Sequence, residues 1–437
     1  MSIFTSIIAS KGCLHIEGHK ELTKESGITK VTDASVVGKI YVPVTAANGK
    51  PLTLLVKEGD EVKVNQKLGV APGFDVPYYS SVSGKIVAQE TRFNAVVGRP
   101  VPHLVIENDF KYEKVSLPTV NVETATKEEL VEALKEAGIV GLGGSGFPTY
   151  VKYQKDSELL LINGCECEPY LTTDQLTSPT KSDLLVNGVK ILMKAANATK
   201  AMVAIKKGKP HLHEALVAAF EGEENVQVVE VADVYPIGWE RVLIRKVLNK
   251  EYDKLPNEVG VVVNNIQTAI AVADALLNGN AITSRVVTVS GNAVANVGNY
   301  EVPVGTVAGS LIEYLGGYTE ENVILLAGGP MTSKGQMNDK FILERQTGGL
   351  TVLKHVEYKP EACLRCGACT NHCPAGLQPV EIKRAVEAKD VDRMIALNAD
   401  RCIECGLCSF VCPSKIDVTE AMKKAKLQLR IAAMKKK

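Results

Sequence analysis

Long apolar runs, aromatic side chains and net charge are all scarce in this 437-residue sequence. No stretch approaches the roughly 18 to 20 apolar residues that cross a bilayer, and the amino-terminal MSIFTSIIASKGC has too short an apolar segment for a secretory signal. The chain is therefore expected to be soluble and cytoplasmic, with any membrane contact peripheral and on the cytoplasmic face. Aromatics make up 5% of the residues, and 50 basic side chains balance 50 acidic ones. A neutral chain has no global field to draw in phosphate backbones, so nucleic acid is not an expected partner. Before residue 363 the only cysteines are Cys13, Cys165 and Cys167, which excludes a disulfide scaffold of the secreted kind. What remains, 45% apolar with 36 glycines, is a globular chain of about two to four domains.

Changes of pattern divide the chain and predict a multidomain α/β protein. Residues 1–35, broken by glycines, read as an amino-terminal arm. Residues 36–117 alternate short β-prone runs (Lys39 to Val44, Leu52 to Val56, Lys85 to Ala88, Leu104 to Ile106) with Asn-Gly, Pro-Gly and Ser-Gly turns, the pattern of a small β domain. VKEGDEV at 56–62 and SVSGKI at 81–86 resemble a barrel-sandwich fold, without the Asp-Lys or Met-Lys hairpin that would carry a covalent cofactor. In residues 118–280, a capping box at Thr126 and Glu129 opens a helix that stops at Gly138. Apolar strands at Glu158 to Ile162, Ala201 to Ile205 and Gly260 to Val263 then alternate with helical patterns at Asp183 to Ala196 and His211 to Phe220, predicting a sheet buried between helices. Residues 281–352 return to short strands, Arg285 to Ser290 and Val323 to Leu326, as a small α+β module. Residues 353–420 are cysteine-dense with helices at Pro379 to Ala388 and Val391 to Leu397, and 421–437 form a basic tail.

The cysteines of that segment form a doubled pattern. Cys363, Cys366, Cys369 and Cys373 precede Pro374, and Cys402, Cys405, Cys408 and Cys412 precede Pro413, each run reading C-x2-C-x2-C-x3-C-P. Tight spacing lets three thiolates reach one cubane from one loop, and the fourth cysteine of each run ligates the other cluster in two-cluster ferredoxins. Two [4Fe–4S] clusters are predicted, one on Cys363, Cys366, Cys369 and Cys412, the other on Cys402, Cys405, Cys408 and Cys373. Paired zinc sites would need paired C-x-x-C units instead.

GLGGSG at 141–146 satisfies G-x-G-x-x-G, but it follows a helix instead of a strand and meets Pro148, so the ordinary Rossmann reading is weak. Glycines still let backbone amides approach a phosphate or flat ring. Polar phrases NGCECEP at 163–169 and Asn264-Asn265 stand at strand ends, where open α/β sheets place ligands, and YPIGWE at 235–240 supplies a turn with another carboxylate. Cys165 and Cys167 share one side of an extended segment and read as two buried thiols rather than a redox pair.

Taken together, GLGGSGFPTYVK, NGCECEPYLT, YPIGWE, VVVNN and the two cluster runs resemble the RnfC family, the C subunits of Rnf electron-transport complexes, over most of residues 36–420. The core is similar to the NADH-binding flavoprotein subunit of respiratory complex I, and PrdC, the proline-reductase-associated protein, is a close branch. The resemblance implies a β-grasp-like SLBB module at 281–352 and a helical two-cluster ferredoxin domain. It also implies FMN held by Gly141, Gly143, Gly144 and Gly146, with Lys152, Asn163, Glu166, Asn264, Asn265 and Thr268 as further contacts. NADH is implied over the flavin, with Phe147 beside it and Glu168 and Glu240 as the catalytic polar contacts.

Hydride transfer moves two electrons and each cluster takes one, so a flavin site and two clusters in one chain make a converter. The expected function is NADH oxidation with one-electron export to an Rnf-type membrane complex. A PrdC-like soluble donor to a reductase such as proline reductase, and a non-catalytic iron–sulfur relay, are the alternatives.

Overall fold

The computed structural model describes residues 12–18, 20–25 and 27–435. In the β domain, strands Lys39–Pro43, Arg99–Asn108, Gly84–Asn94 and Glu61–Val62 form one sheet in that order, and Thr53–Leu54, Lys67–Ala71 and Val76–Tyr79 form a second. Gly84 sits at φ +149°, where an added Cβ would lie 1.9 Å from the Glu107 carbonyl oxygen; only glycine fits that crossing.

Four parallel strands, Val226–Val231, Lys200–Lys206, Leu159–Asn163 and Val261–Asn265, build the central sheet in that spatial order. Side chains alternate across it: Leu160 and Ile162 face a core shared with helices Lys127–Glu136, Ser182–Ala196, Pro210–Ala219 and Ile266–Asn278. Leu161 turns the other way, towards helix Glu240–Leu248 and Cys13. A parallel sheet buried on both faces is the expected result of near-continuous apolar strands. The capping box at Thr126 and Glu129 forms as expected.

The SLBB module is a mixed sheet in the order Thr29–Lys30, Gly298–Pro303, Ser284–Ser290, Gly349–Lys354, Val323–Leu326 and Gly335–Gln336, backed by helix Ala308–Tyr314. Its first strand comes from the amino-terminal arm, which is thus woven into the body. Module and β domain share one core, in which Ile40, Leu68, Ile86 and Ile106 meet Val287, Leu311, Phe341 and Val352.

In the cysteine-rich domain, each run turns through a left-handed glycine, Gly367 at φ +76° and Gly406 at φ +80°, into a four-residue helix. Helices Pro379–Glu387 and Val391–Ala396 separate the runs, and helix Val418–Lys435 closes the domain. Its core is Leu377, Ile382, Ala385, Met394, Met422 and Ala425.

Candidate active site and metal centres

The glycine segment is a closed loop between Val140 and Pro148, which pair in an isolated antiparallel bridge. The Gly141 N–H donates to the Phe147 carbonyl (2.8 Å) and the Gly146 N–H to the Gly141 carbonyl (3.1 Å). One side is anchored: the Leu142 N–H donates to Thr268 Oγ1 (3.0 Å), buried Arg285 donates to the Leu142 carbonyl (3.3 Å), and a Cβ on Gly143 would come within 3.3 Å of Asn265. The other side is open. Gly144, at φ +104°, has nothing within 4 Å of its Cβ position, so a flat or anionic group can approach its backbone.

Two strand ends supply the polar floor. Asn163 donates through Nδ2 to the Gly238 carbonyl (2.7 Å) and accepts through Oδ1 from the Cys165 N–H (3.1 Å). Asn265 caps helix Ile266–Asn278, accepting from the Gln267 N–H (2.9 Å), while its Nδ2 donates to Asp174 (2.7 Å) and to the Asn163 carbonyl (3.4 Å). Asn264 is buried and donates to the Tyr153 hydroxyl. Lys152 reaches the Val263 carbonyl (2.8 Å) and lies 3.7 Å from Glu240, whose other oxygen accepts from the Tyr252 hydroxyl (3.0 Å). Hydrogen bonds and close contacts therefore link the glycine loop to Thr268 and Asn265, Asn265 to Asn163, and Lys152 to Glu240 and the strand of Asn264, so that these residues border one candidate cleft, with the Asn264 side chain itself turned to buried Tyr153.

Phe147, at the end of the glycine loop, is 39% exposed and edge-on to Phe74 of the β domain with centroids 5.9 Å apart. Glu166 and Glu168 are engaged elsewhere. Glu166 accepts from the Thr173 hydroxyl (2.9 Å) and the Asp174 N–H (2.9 Å), so its charge sits on the amino terminus of helix Thr173–Thr180, a favourable place for an anion. Glu168 accepts from the Met331 N–H (2.6 Å) and from the Thr332 N–H and hydroxyl (3.2 and 3.1 Å). Burial pushes its carboxyl up, and those hydrogen bonds oppose the shift. Both carboxylates hold backbone in place in this conformation.

Asp174 carries no mark of a site in the sequence. It accepts from Asn265 and from the Gln267 side chain (2.6 Å), and burial, with Glu166 nearby, pushes its carboxyl up to about 7. A lone aspartate in a helical stretch gives no signal that it will be enclosed by two amides from another segment.

The eight late cysteines line two cavities. Cys363, Cys366, Cys369 and Cys412 surround one of about 270 Å³, beside which Cys363 and Cys366 are exposed. Cys373, Cys402, Cys405 and Cys408 surround a tighter one of about 20 Å³. The thiols ring these centres rather than meeting at a point: among the described residues, no three His, Cys, Asp or Glu side chains converge to hold a single ion. All-thiolate foursomes, with the fourth cysteine of each run crossed over, fit [4Fe–4S] clusters.

The second foursome abuts the flavin-type domain. The Tyr235 hydroxyl donates to the Cys405 carbonyl (2.6 Å), and Cys167, Trp239, Met331 and Leu407 pack around the same spot. The Gly238 N–H donates to Cys167 Sγ (3.2 Å) while its carbonyl receives Asn163. Burial pushes the Cys167 thiol up to about 12, which favours its neutral form.

A cleft with a glycine turn and two strand-end asparagines, joined to two crossed cysteine foursomes, defines an electron-transfer oxidoreductase component that carries flavin and iron–sulfur groups. Family models match in the same order: the RnfC barrel sandwich hybrid domain over residues 8–111, the Nuo51 FMN-binding domain over 134–274, the SLBB domain over 286–335 and a 4Fe-4S dicluster domain over 355–413. The chain is 38% identical to the C subunit of the proton-translocating ferredoxin:NAD(+) oxidoreductase complex of Clostridium ljungdahlii, covering 84% of this chain and 82% of the relative. It is 33% identical to the C subunit of the Na(+)-translocating ferredoxin:NAD(+) oxidoreductase complex of Acetobacterium woodii, covering 89% and 90%. Against the C subunit of the ion-translocating oxidoreductase complex of Rhodobacter capsulatus the identity is 34%, covering 87% and 76%. The chain belongs to the RnfC family. An NAD+-reducing [NiFe]-hydrogenase is a structural neighbour at TM-score 0.48 and 18% identity, covering 73% of this chain and 69% of the neighbour. These relatives lend no specific support to the proline-reductase reading. Among the described residues no helix is long and apolar enough to cross a membrane.

Proposed function

We propose that this chain exchanges electrons between NADH and the other subunits of an Rnf-type membrane complex, through FMN and two [4Fe–4S] clusters. The relatives named ferredoxin:NAD(+) oxidoreductase support the choice of nicotinamide nucleotide and of a one-electron carrier. The observation that carries the reading is physical continuity: Asn163 in the cleft bonds to Gly238, Gly238 to Cys167, and Cys167 shares a packed cluster with Tyr235 and Cys405.

FMN when bound takes up an electron pair and releases it singly, and each cluster handles one electron at a time. The chain's own groups do the positioning. Of the four glycines, Gly141 and Gly146 use their N–H groups to close the loop and Gly143 packs on Asn265, so Gly144 offers the open stretch of backbone to the flavin phosphate, and Lys152 adds a cation at the neighbouring strand end. Asn163, Asn264 and Asn265 form the polar floor, while Thr268, Glu166 and Glu168 fix the segments that carry it. Phe147 and Glu240 are the nucleotide-side groups. Orienting the reactants in a fixed cleft is the main contribution a protein makes to such a transfer.

The anaerobically purified chain, with FMN and iron–sulfur content restored, is expected to show flavin bleaching on addition of NADH, followed by loss of cluster absorbance. A chain that holds both clusters but takes up no FMN would sink the reading and favour a bare iron–sulfur relay.

A further inference from the structure

Helix Val418–Lys435 has two apolar faces of different fate. One is packed: Met422, Ala425 and Leu429 join the core of the cysteine-rich domain, and Lys426 is held by Glu404 (2.5 Å) and the Cys402 carbonyl (3.0 Å). On the opposite side Leu427, Ile431 and Met434 are 56%, 45% and 76% exposed. At 3.6 residues per turn these three fall within an arc of roughly 60°. Lys423 and Arg430 flank one edge of the stripe, Lys424 and Lys435 the other, and no acidic residue occurs after Glu420.

A single exposed leucine means little. A stripe repeated at one-turn spacing and framed on both edges by long cationic side chains is the pattern of a helix lying in a headgroup layer, where apolar tips insert and lysine stems reach back to phosphates. We propose that this helix docks the chain on an anionic bilayer surface, lying in the interface without crossing it. Charge selects the occupant: cations of one sign along both edges match a continuous sheet of anionic headgroups, whereas the rim of a protein interface presents mixed polarity. Because the opposite face is part of the cysteine-rich domain, docking places both cysteine foursomes close to the membrane. The inference does not depend on nucleotide chemistry.

The test is flotation of the full chain with vesicles of phosphatidylglycerol and phosphatidylcholine, against vesicles of phosphatidylcholine alone, without NADH. The chain is expected to float with the anionic vesicles, to release in high salt, and to bind neutral vesicles at least about tenfold more weakly. Two variants separate the components: Leu427→Ser with Ile431→Ser and Met434→Ser removes the stripe, and Lys424→Gln with Arg430→Gln and Lys435→Gln removes cations, each lost cation weakening binding roughly fivefold. All six positions are exposed, so flavin and iron content serve as checks that folding is intact. Failure of the wild type to float overturns the proposal, as does wild-type flotation of the stripe variant, which would leave charge alone. Recruitment only to membranes that contain other proteins would also overturn it, in favour of an acidic protein partner.

Discussion

Gly144 combines a backbone conformation that side chains avoid with an outer face that meets no protein atom, so a methyl group there probes the cleft directly. Forcing a non-glycine residue into such a conformation costs about 1–3 kcal/mol, and in Gly144→Ala the methyl also projects where a bound group must lie. FMN affinity is expected to fall at least about tenfold, read from flavin retained on the purified protein. Gly222→Ala is the control: Gly222 also has positive φ (+86°) and open space, so it bears similar strain but should keep its flavin. Glu344 offers a second test. It is buried, one oxygen lacks a partner, and burial holds its carboxyl up at about 7 against an ordinary 4.5, with Arg345 opposing. The folded state therefore binds this proton more tightly than the unfolded state, and stability drops as pH rises from about 4.5 to about 7. Glu344→Gln should flatten that slope, gaining on the order of 3 kcal/mol at most at pH 8 and nothing at pH 4. Denaturant midpoints across that range with an unchanged slope would reject the assignment. At this scale the sequence displays glycine strings and cysteine spacing, which are local. It does not display the engagement of Glu166 and Glu168, because the partners at Asp174 and Met331–Thr332 are brought up by tertiary structure.

Strands and helices with a clear period were legible: Val323–Leu326 and the helix from Pro379 lie where the pattern puts them. Helix Glu240–Leu248 was not, because the turn residues of YPIGWE mask its start; nor was the docking of the arm, whose Leu14 pairs with Tyr235 and whose Gly12 lies against Cys373 and Pro374. Nothing in either segment alone marks the apolar surface that joins the β domain to the SLBB module. The contact between the SLBB loop and the second cysteine run is of the same kind, and it can be tested. A Cβ on Gly406 would lie 2.5 Å from the Met331 carbonyl oxygen, whereas one on Gly367, the equivalent glycine of the first run, comes no closer than 4.0 Å to Asn371. Both substitutions to alanine incur the same backbone strain, but only Gly406→Ala also displaces a neighbouring backbone. It should destabilise by roughly 1–3 kcal/mol more than Gly367→Ala, seen as a lower thermal midpoint with selective loss of iron from the inner site. Equal effects would mean that the loop contact is not rigid.

Across the whole molecule, the crossed foursomes order the two metal centres relative to the cleft. Cys373 belongs to the first run in sequence but lines the cavity with Cys402, Cys405 and Cys408, beside Tyr235; Cys412 belongs to the second run but lines the outer cavity with the exposed Cys363 and Cys366. Reading the runs as independent would assign these two cysteines the other way round, so their alanine variants discriminate. Cys412→Ala should lose iron from the outer centre only, leaving NADH able to reduce both the flavin and the inner cluster while transfer to an external one-electron acceptor fails. Cys373→Ala should lose the inner cluster, so that NADH still bleaches the flavin but the surviving outer cluster stays oxidised, although a small chemical reductant reaches it from solvent. Paramagnetic resonance of each variant, reduced first with NADH and then with dithionite, separates the cases. If NADH reduces the outer cluster at the wild-type rate in Cys373→Ala, electrons do not pass through the contact at Tyr235, and the inner centre is a structural support instead of a step on the path.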